Sequence, residues 1–187
     1  MPEDYLKEKG LHLIKKISKG HSSEVFLVED SKKKKFALKI EKKTSTRYRM
    51  AEREAENLKL ANSFSIGPKL IDFDLSKRII LMEFIEGKTF SEWLFKENPS
   101  RKTLKKFIGK LLLQARKLDG LGLDHGQLAG KGKNILVRKN LPVIIDFEKA
   151  SRDRKCHNFN QLHSFLFRNP NSAITKKVKK ISGNSIN

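Results

Sequence analysis

The order of the predicted strands and helices limits the fold of this chain more than any other feature of its sequence. Five short apolar segments are bounded by turn-forming residues and predict β-strands. They span His12–Ile17, Glu24–Glu29, Lys35–Ile40, Lys69–Phe73 and Arg78–Phe84. A run of good helix formers from Thr46 to Ala61 separates the third strand from the fourth. This order predicts a five-stranded antiparallel sheet that is interrupted by one helix.

The second half of the chain has mainly helical patterns. A short helix near Thr89–Phe95 precedes a longer one from Arg101, in which apolar residues recur every three or four positions and leave a basic outer face. Two short strands, Asn134–Val137 and Leu141–Ile145, and a last helix near Phe159–Phe167 follow. The sequence therefore predicts helices packed around a small pair of strands.

We expect an α+β protein with two lobes. Residues 1–86 are predicted to form the N-terminal lobe, and residues 87–174 a reduced, mostly helical C-terminal lobe. Residues 175–187 are predicted to be a basic flexible tail. A nucleotide could bind between the two lobes.

The charge of the chain indicates an acidic partner. It has 41 Lys and Arg against 21 Asp and Glu, which gives a formal net charge of +20. Such an excess favours contact with a polyanion, and we expect RNA or a ribonucleoprotein first, with a merely solubilising role of lysine as the alternative. The single cysteine, Cys156, excludes an intrachain disulfide and a cysteine-cluster metal site. A single cysteine also fits a reducing, cytoplasmic setting. Because no apolar run exceeds four residues, we expect no membrane segment.

Several residues match the needs of phosphoryl transfer, which uses a backbone cradle for phosphates, a lysine, and a carboxylate that holds the lysine. The predicted first hairpin carries small residues that let backbone N–H groups approach phosphate, namely Ser18, Gly20 and Ser23. Lys39 lies on the third predicted strand. Glu54 on the following helix is the preferred partner of Lys39, with Glu52 and Glu56 as alternatives.

Two predicted strand ends carry oxygen ligands for a metal ion. Asp146 follows the predicted buried strand directly after Val143–Ile145. At the end of a buried strand an unpaired charge would be costly unless it met a cation. Asn134 opens the preceding strand, and carboxylate and amide oxygens are suitable ligands for Mg²⁺. In addition, the apolar strand IILM runs into an acidic connector, EFIEG, that is suited to contact the edge of a base.

Together these motifs resemble the protein kinase superfamily. In chain order they are SKGHSSEVF, FALK, EAENL, LMEFIEG, DHGQL, NILV and IIDFE, from about residue 12 to residue 150. The similarity is greatest to small, atypical microbial members related to the RIO kinases and the tRNA-modification-complex kinase. The resemblance implies an ATP- and Mg²⁺-dependent serine/threonine-protein kinase that acts on an unidentified protein or on itself.

The resemblance also assigns roles to individual residues. Lys39 would contact the α- and β-phosphates, and Glu54 would hold Lys39 in place. Asn134 and Asp146 would hold the metal ion. The other residues that would line the nucleotide are Ser18, Gly20, Ser23, Val25, Ala37, the gatekeeper Met82, and Glu83 and Ile85 through their backbones.

The catalytic loop departs from the family pattern. Gln127 stands where the relatives have an acidic base, and its distance of seven residues from Asn134 is longer than in the family. Glutamine can orient a hydroxyl or a water, but it cannot take a proton. By this resemblance, the expected catalytic residues are Lys39, Gln127 and Asp146.

Alternatives for this loop and for the function stay open at the level of sequence. Asp124 is a substitute base, and either Lys131 or Lys133 could contact the transferred phosphate. Glu148 replaces a glycine of the family motif, which predicts a less mobile metal loop. Besides a kinase, the chain could be an ATPase switch in which Gln127 positions water, or a catalytically idle module that binds RNA or a ribonucleoprotein.

Overall fold

The structure is a computed structural model that describes residues 3–42 and 49–183. Its N-terminal lobe contains a five-stranded antiparallel sheet in the order β1-β2-β3-β5-β4. The elements of this lobe are α1 (Glu3–Glu8), β1 (Leu11–Lys19), β2 (Ser23–Asp30), β3 (Lys35–Glu41), α2 (Met50–Asn62), β4 (Leu70–Asp74) and β5 (Ile79–Glu83). The predicted sheet is thus confirmed, while the predicted helix start at Thr46 lies outside the described residues.

Aspartate side chains close two turns of this sheet. Between β2 and β3, one carboxylate oxygen of Asp30 accepts hydrogen bonds of 2.9 Å from the backbone N–H groups of Lys32 and Lys34. Between β4 and β5, Asp74 accepts a hydrogen bond of 2.9 Å from the backbone N–H of Lys77. Aspartate favours such turns because its short side chain bonds to the backbone a few positions ahead. These bonds explain why the segments DSKKKK and DLSK reverse the chain.

The two faces of the sheet pack against different helices. On one face, Leu38 and Leu81 join an apolar cluster with Tyr5 of α1. On the other face, Ala55 of α2 packs against Ile80. Successive side chains of a strand point to opposite faces, so the apolar run in β5 serves both clusters. The sequence pattern did not predict α1, which has six residues and is too short to show helical periodicity.

The C-terminal lobe is built around one long helix. Its elements are β6 (Lys88–Thr89), α3 (Phe90–Glu92) with a π-helical turn (Trp93–Glu97), α4 (Arg101–Gly120), β7 (Ile135–Arg138), β8 (Leu141–Ile144), a 3-10 turn (Phe147–Lys149), α5 (Asn158–His163) with a π-helical turn (Ser164–Arg168), and α6 (Ala173–Ser182). The apolar stripe of α4 is buried from Leu104 to Leu118, and Phe107 stacks on Phe90 with ring centroids 5.3 Å apart. The two-lobed, kinase-like α+β architecture is therefore as predicted. Within residues 3–42 and 49–183, no helix is both long and apolar enough to cross a membrane.

The end of the chain differs from the predicted flexible tail. Ala173–Ser182 forms α6, and its side chains Ile174 and Val178 are buried in the core of the C-terminal lobe. Ser172 caps the helix, since its hydroxyl oxygen accepts a hydrogen bond of 3.4 Å from the backbone N–H of Thr175. The apolar spacing that predicts a helix is present in the sequence, but the lysines between those positions conceal it. Residues 184–187 of the predicted tail lie outside the described part of the chain.

Two contacts position the lobes relative to each other. The connector after β5 passes so close to β7 that a Cβ atom on Gly87 would overlap the carbonyl group of Val137. From the N-terminal lobe, the side-chain amide of Asn57 donates a hydrogen bond of 2.8 Å to the carbonyl of Ala150. Helix α2 is thereby tied to the segment that follows β8. We refer to the junction of the two lobes, where β3, α2 and this segment meet, as the cleft.

Candidate active site

Lys39 is the centre of a buried cluster of charges in the cleft. It lies on β3 between Val25 of β2 and Ile80 of β5. Its Nζ atom is 2.7 Å from Glu54 Oε2 and 2.8 Å from Asp146 Oδ1. A third carboxylate oxygen, Glu148 Oε2, is 3.3 Å away. One ammonium group therefore joins the sheet, helix α2 and the segment after β8.

Lys39 and Asp146 stabilise each other's charged form. Burial alone would lower the pKa of Lys39, but the negative charges of Glu54 and Asp146 outweigh burial and raise it. Burial raises the pKa of Glu54 to about 7, against the opposing effect of Lys39. Burial also favours a raised pKa for Asp146, but the contact with Lys39 outweighs it and lowers the pKa. Lys39 is thus a permanent cation and Asp146 a permanent anion at neutral pH.

Three glutamates of α2 are candidate partners of Lys39, and the structure places Glu54 beside it. Glu54 lies on the buried face of the helix, and its side chain is only 4% exposed. Glu52 pairs with Arg49 at the start of the helix, and Glu56 is exposed. The structure brings together Lys39 and Glu54, the pair that the sequence favoured.

Asp146 and Asn134 lie at neighbouring strand ends. The backbone N–H of Ile145 donates a hydrogen bond of 2.9 Å to the carbonyl of Asn134, so Asn134 lies across from the residue before Asp146. Asp146 leaves the strand in the left-handed region, with φ of 67°, and its Oδ1 faces Lys39. The side-chain N–H of Asn134 donates to the carbonyl of Gln127 at 3.4 Å, which leaves the amide oxygen for another partner. An amide oxygen and a carboxylate at adjacent strand ends fit the preference of Mg²⁺ for oxygen ligands.

His125 anchors the loop that carries Gln127. The imidazole is fully buried, its Nε2 atom is 3.0 Å from the carbonyl oxygen of Ile145, and its ring packs edge-on against Phe147. Since a carbonyl oxygen only accepts, Nε2 carries the proton. Burial lowers the pKa of His125, so the ring is neutral. Two residues later, Gln127 is half-buried and its backbone touches Asn134.

The alternatives for the catalytic base and the phosphate ligand occupy different places. The Asp124 side chain is 7% exposed and forms a 3.0 Å ion pair with Arg154, so the structure does not favour it as the substitute base. Lys131 and Lys133 are exposed on the loop after Gln127. This loop is attached to α3, because the hydroxyl of Ser91 donates a hydrogen bond of 2.7 Å to the carbonyl of Lys131.

The hairpin between β1 and β2 folds tightly beside this cluster. Ser18 pairs with Val25, and the backbone N–H of Gly20 donates a hydrogen bond of 2.9 Å to the carbonyl of Ser23. Ser22, which the sequence did not single out, is buried and donates a hydrogen bond of 3.2 Å to Glu148 Oε1. The sequence marked Glu148 only as a departure from a glycine, and no local signal indicated that it reaches both Ser22 and Lys39.

The predicted base-binding connector borders the same cleft. Ala37 of β3 pairs with Met82 of β5, and Met82 packs half-buried against the core. The backbone N–H of Glu83 donates a hydrogen bond of 2.8 Å to the carbonyl of Lys69, and its carboxylate pairs with Arg138. Ile85 is buried. Met82, Glu83 and Ile85 thus lie at the end of β5 and in the connector that joins the two lobes.

Comparisons with known proteins agree with this arrangement. The RIO domain matches residues 6–169. An uncharacterised protein of Methanocaldococcus jannaschii is 34% identical over 86 residues, which is 46% of this chain and 72% of that protein. The KEOPS complex subunit Bud32 of Pyrococcus abyssi is 29% identical over 157 residues, which is 75% of this chain and 69% of that subunit. Similarity to these proteins supports an atypical kinase or ATPase activity in general. Given the extent of the match, this chain belongs to the RIO-domain family of kinase-like proteins.

Proposed function

We propose that the protein transfers the γ-phosphoryl group of ATP, with Mg²⁺, to a Ser or Thr hydroxyl of a protein or of its own chain. The observation that carries this proposal is the position of Lys39, which bridges the helix carboxylate Glu54 and the strand-end carboxylate Asp146. In phosphoryl transfer the protein mainly positions the reactants and stabilises charge. A buried, permanently charged lysine beside oxygen ligands for a metal would position the phosphates and stabilise their charge.

The residues around Lys39 have separate tasks in this proposal. Lys39 would bind the α- and β-phosphates, with the tight β1–β2 hairpin covering them. Asn134 and Asp146 would hold Mg²⁺, which neutralises the negative charge that the phosphoryl oxygens carry. The adenine would lie against Ala37 and Met82, near the backbones of Glu83 and Ile85. In this proposal each part of the nucleotide therefore has its own set of residues.

Gln127 sets the expected rate. It lies beside Asn134 and would orient the attacking hydroxyl, but its amide cannot accept the proton. General base catalysis contributes roughly 10²–10⁴-fold in rate, so we expect slow transfer. Transfer is not abolished, because the transition state of phosphoryl transfer is loose and depends mainly on positioning and charge.

Gln127 also favours a second candidate, an ATPase. A glutamine positions the attacking water in GTPases, and the loop holds Gln127 at the proposed metal end of the cleft. One relative is described as a subunit of the KEOPS complex. By analogy, ATP turnover here would serve an assembly with a protein or tRNA partner rather than label a substrate.

A turnover assay with γ-labelled ATP tests the proposal. Purified protein with Mg²⁺ should yield labelled protein if it is a kinase, and labelled free phosphate alone if it is an ATPase. Asp146→Asn should abolish either product, while Asp153→Asn, at an exposed position of the same segment, should not. Absence of both products, together with unchanged nucleotide binding by Asp146→Asn, would contradict both activities.

A further inference from the structure

Half of the net positive charge lies on two helices of the C-terminal lobe. Helix α4 contains seven Lys and Arg and one Asp, and α6 contains four Lys and no acidic residue. These two helices therefore contribute ten of the twenty excess positive charges of the chain. The residues are Arg101, Lys102, Lys105, Lys106, Lys110, Arg116, Lys117, Lys176, Lys177, Lys179 and Lys180. We call them the basic helical surface.

The protein itself does not neutralise this surface. Across residues 3–42 and 49–183, none of its eleven side chains forms an ion pair with a carboxylate. The one acidic residue of α4, Asp119, accepts hydrogen bonds from Asn158 and from the backbone N–H of Phe159. By contrast, Lys9, Lys16 and several lysines of the N-terminal lobe do pair with acids.

The charged side chains share one side of α4. Six of them are exposed on the face opposite the buried stripe, from Lys102 to Lys117, which spans about 22 Å of helix. The C-terminal end of α6 lies beside the start of α4, since a Cβ atom on Gly183 would be 3.5 Å from the Arg101 guanidinium carbon. Lys179 and Lys180, which are exposed in the last turn of α6, therefore lie within about one helical turn of this contact with the start of α4.

Helix stability does not explain this arrangement. Arg101 and Lys102 occupy the first turn of α4, where the helix dipole disfavours positive charge. Lys102, Lys106 and Lys110 are four residues apart, so like charges face one another along the helix. Gly109 lies among them, lowers helix propensity, and has no atom within 4 Å of the place of a Cβ. These residues destabilise the helix, but they give it a continuous, strongly positive face.

We propose that the basic helical surface binds the phosphate backbone of a structured RNA. Rows of unpaired lysines complement phosphates and recognise no particular base. Leu113 is the one large apolar side chain exposed on α4, which is too little apolar area for a membrane-binding helix. The exposed face of α4 carries no Asn or Gln to contact the edge of an adenine in a DNA groove, since Gln114 donates to the carbonyl of Pro142. Recognition through shape and backbone is typical of double-helical RNA.

This surface is separate from the cleft. None of its residues belongs to the Lys39 cluster or to the proposed metal ligands, and RNA binding requires no nucleotide. The proposal therefore goes beyond phosphoryl transfer and can be right or wrong independently of it.

Binding of a fluorescent RNA duplex of roughly 20 base pairs, measured by anisotropy without ATP, tests the proposal. The variant Lys102→Gln, Lys106→Gln, Lys110→Gln removes three charges from the surface and keeps good helix formers. We expect it to weaken binding about tenfold or more and to reduce the slope of log affinity against log salt by about three. The matched control Lys15→Gln, Lys32→Gln, Lys35→Gln removes three exposed charges from the sheet and should bind like the wild type.

Different results would contradict the choice of surface, the choice of RNA and the proposal as a whole. An equal loss of affinity in the two triple variants would show that binding follows total charge and would overturn the assignment of the surface. Equal or tighter binding of a DNA duplex of the same sequence would overturn the choice of RNA. Tighter binding of vesicles that contain acidic lipids, or no RNA binding by the folded wild type, would overturn the proposal as a whole. Circular dichroism of each variant verifies that it is folded.

Discussion

Ser22 and Glu148 lie 126 positions apart in the chain and are joined by a hydrogen bond of 3.2 Å. The other carboxylate oxygen of Glu148 is 3.3 Å from Lys39 Nζ. Glu148 thus connects the β1–β2 hairpin to the segment after β8 and shares the cation that ATP phosphates are proposed to bind. Because like charges repel, the carboxylate of Glu148 opposes the entry of phosphates beside Lys39.

Replacement of Glu148 by glutamine should therefore strengthen ATP binding. Glu148→Gln keeps the size of the side chain and removes its charge, and we expect an affinity about tenfold higher, or ~1.4 kcal/mol. Isothermal titration with MgATP measures it. Glu56→Gln, at an exposed position of α2, is the matched control and should bind like the wild type. Weaker binding by Glu148→Gln would mean that this carboxylate helps to hold the metal instead.

The pair of Lys39 and Glu54 should dominate the stability of the cleft. Lys39→Met leaves Glu54 buried without its cation, and loss of one partner of a buried pair costs about 3–5 kcal/mol of the free energy of unfolding. The double variant Lys39→Met, Glu54→Met should recover part of this loss, because it removes the most deeply buried carboxylate while Asp146 and Glu148 stay without their cation. Urea denaturation measures both.

An exposed pair provides the control for this experiment. Lys16 and Glu24 are 2.6 Å apart on the sheet, and Lys16→Met should cost less than about 1 kcal/mol. If the losses from Lys39→Met and Glu54→Met simply add in the double variant, the two side chains do not stabilise each other, contrary to the structure.

His125 should make the folded state sensitive to acid. Its pKa is lowered by burial, whereas the ordinary value of 6.5 applies to the unfolded chain. Below that pH the unfolded state takes up a proton that the folded state does not, so stability falls as pH decreases, by up to about 1.4 kcal/mol per unit. The contribution is fully present above pH 6.5 and is lost as the pH falls toward the lowered pKa.

His125→Gln isolates this contribution, because the glutamine amide can still donate to the carbonyl of Ile145 but does not titrate. We expect the free energy of unfolding to fall less for the variant than for the wild type between about pH 7.5 and about pH 5.5. Identical decreases in the two proteins would show that His125 is not the group that senses acid.

Gln127→Asp should convert slow transfer into faster transfer. An aspartate can accept the proton of the attacking hydroxyl, and we expect the rate of protein labelling to increase by roughly 10²-fold. The assay with γ-labelled ATP measures labelled protein and free phosphate separately. Gln161→Asp, on α5 and away from the cleft, is the control. A rise in free phosphate alone would favour the ATPase, and no change in either product would contradict a role of position 127 in the chemistry.

The sequence predicted those parts of the site that depend on strand patterns. Lys39 and Asp146 stand out because each is a charge on an apolar strand, and register then brings Asn134 next to Asp146. The sequence preferred Glu54 but left Glu52 and Glu56 open, because the buried face of α2 depends on where the helix begins. Glu148 was missed as a partner of Lys39 because its contacts follow from the conformation of a short turn, which has no periodic pattern.

The structure of a complex with Mg²⁺ and a non-hydrolysable ATP analogue tests the central claim most directly. We predict that Lys39 Nζ is within hydrogen-bond distance of α- and β-phosphate oxygens while it keeps its contact with Glu54. We also predict that the side-chain oxygens of Asn134 and Asp146 bind the Mg²⁺ ion. A nucleotide bound elsewhere, with Lys39 still surrounded by Glu54, Asp146 and Glu148, would contradict the proposed site.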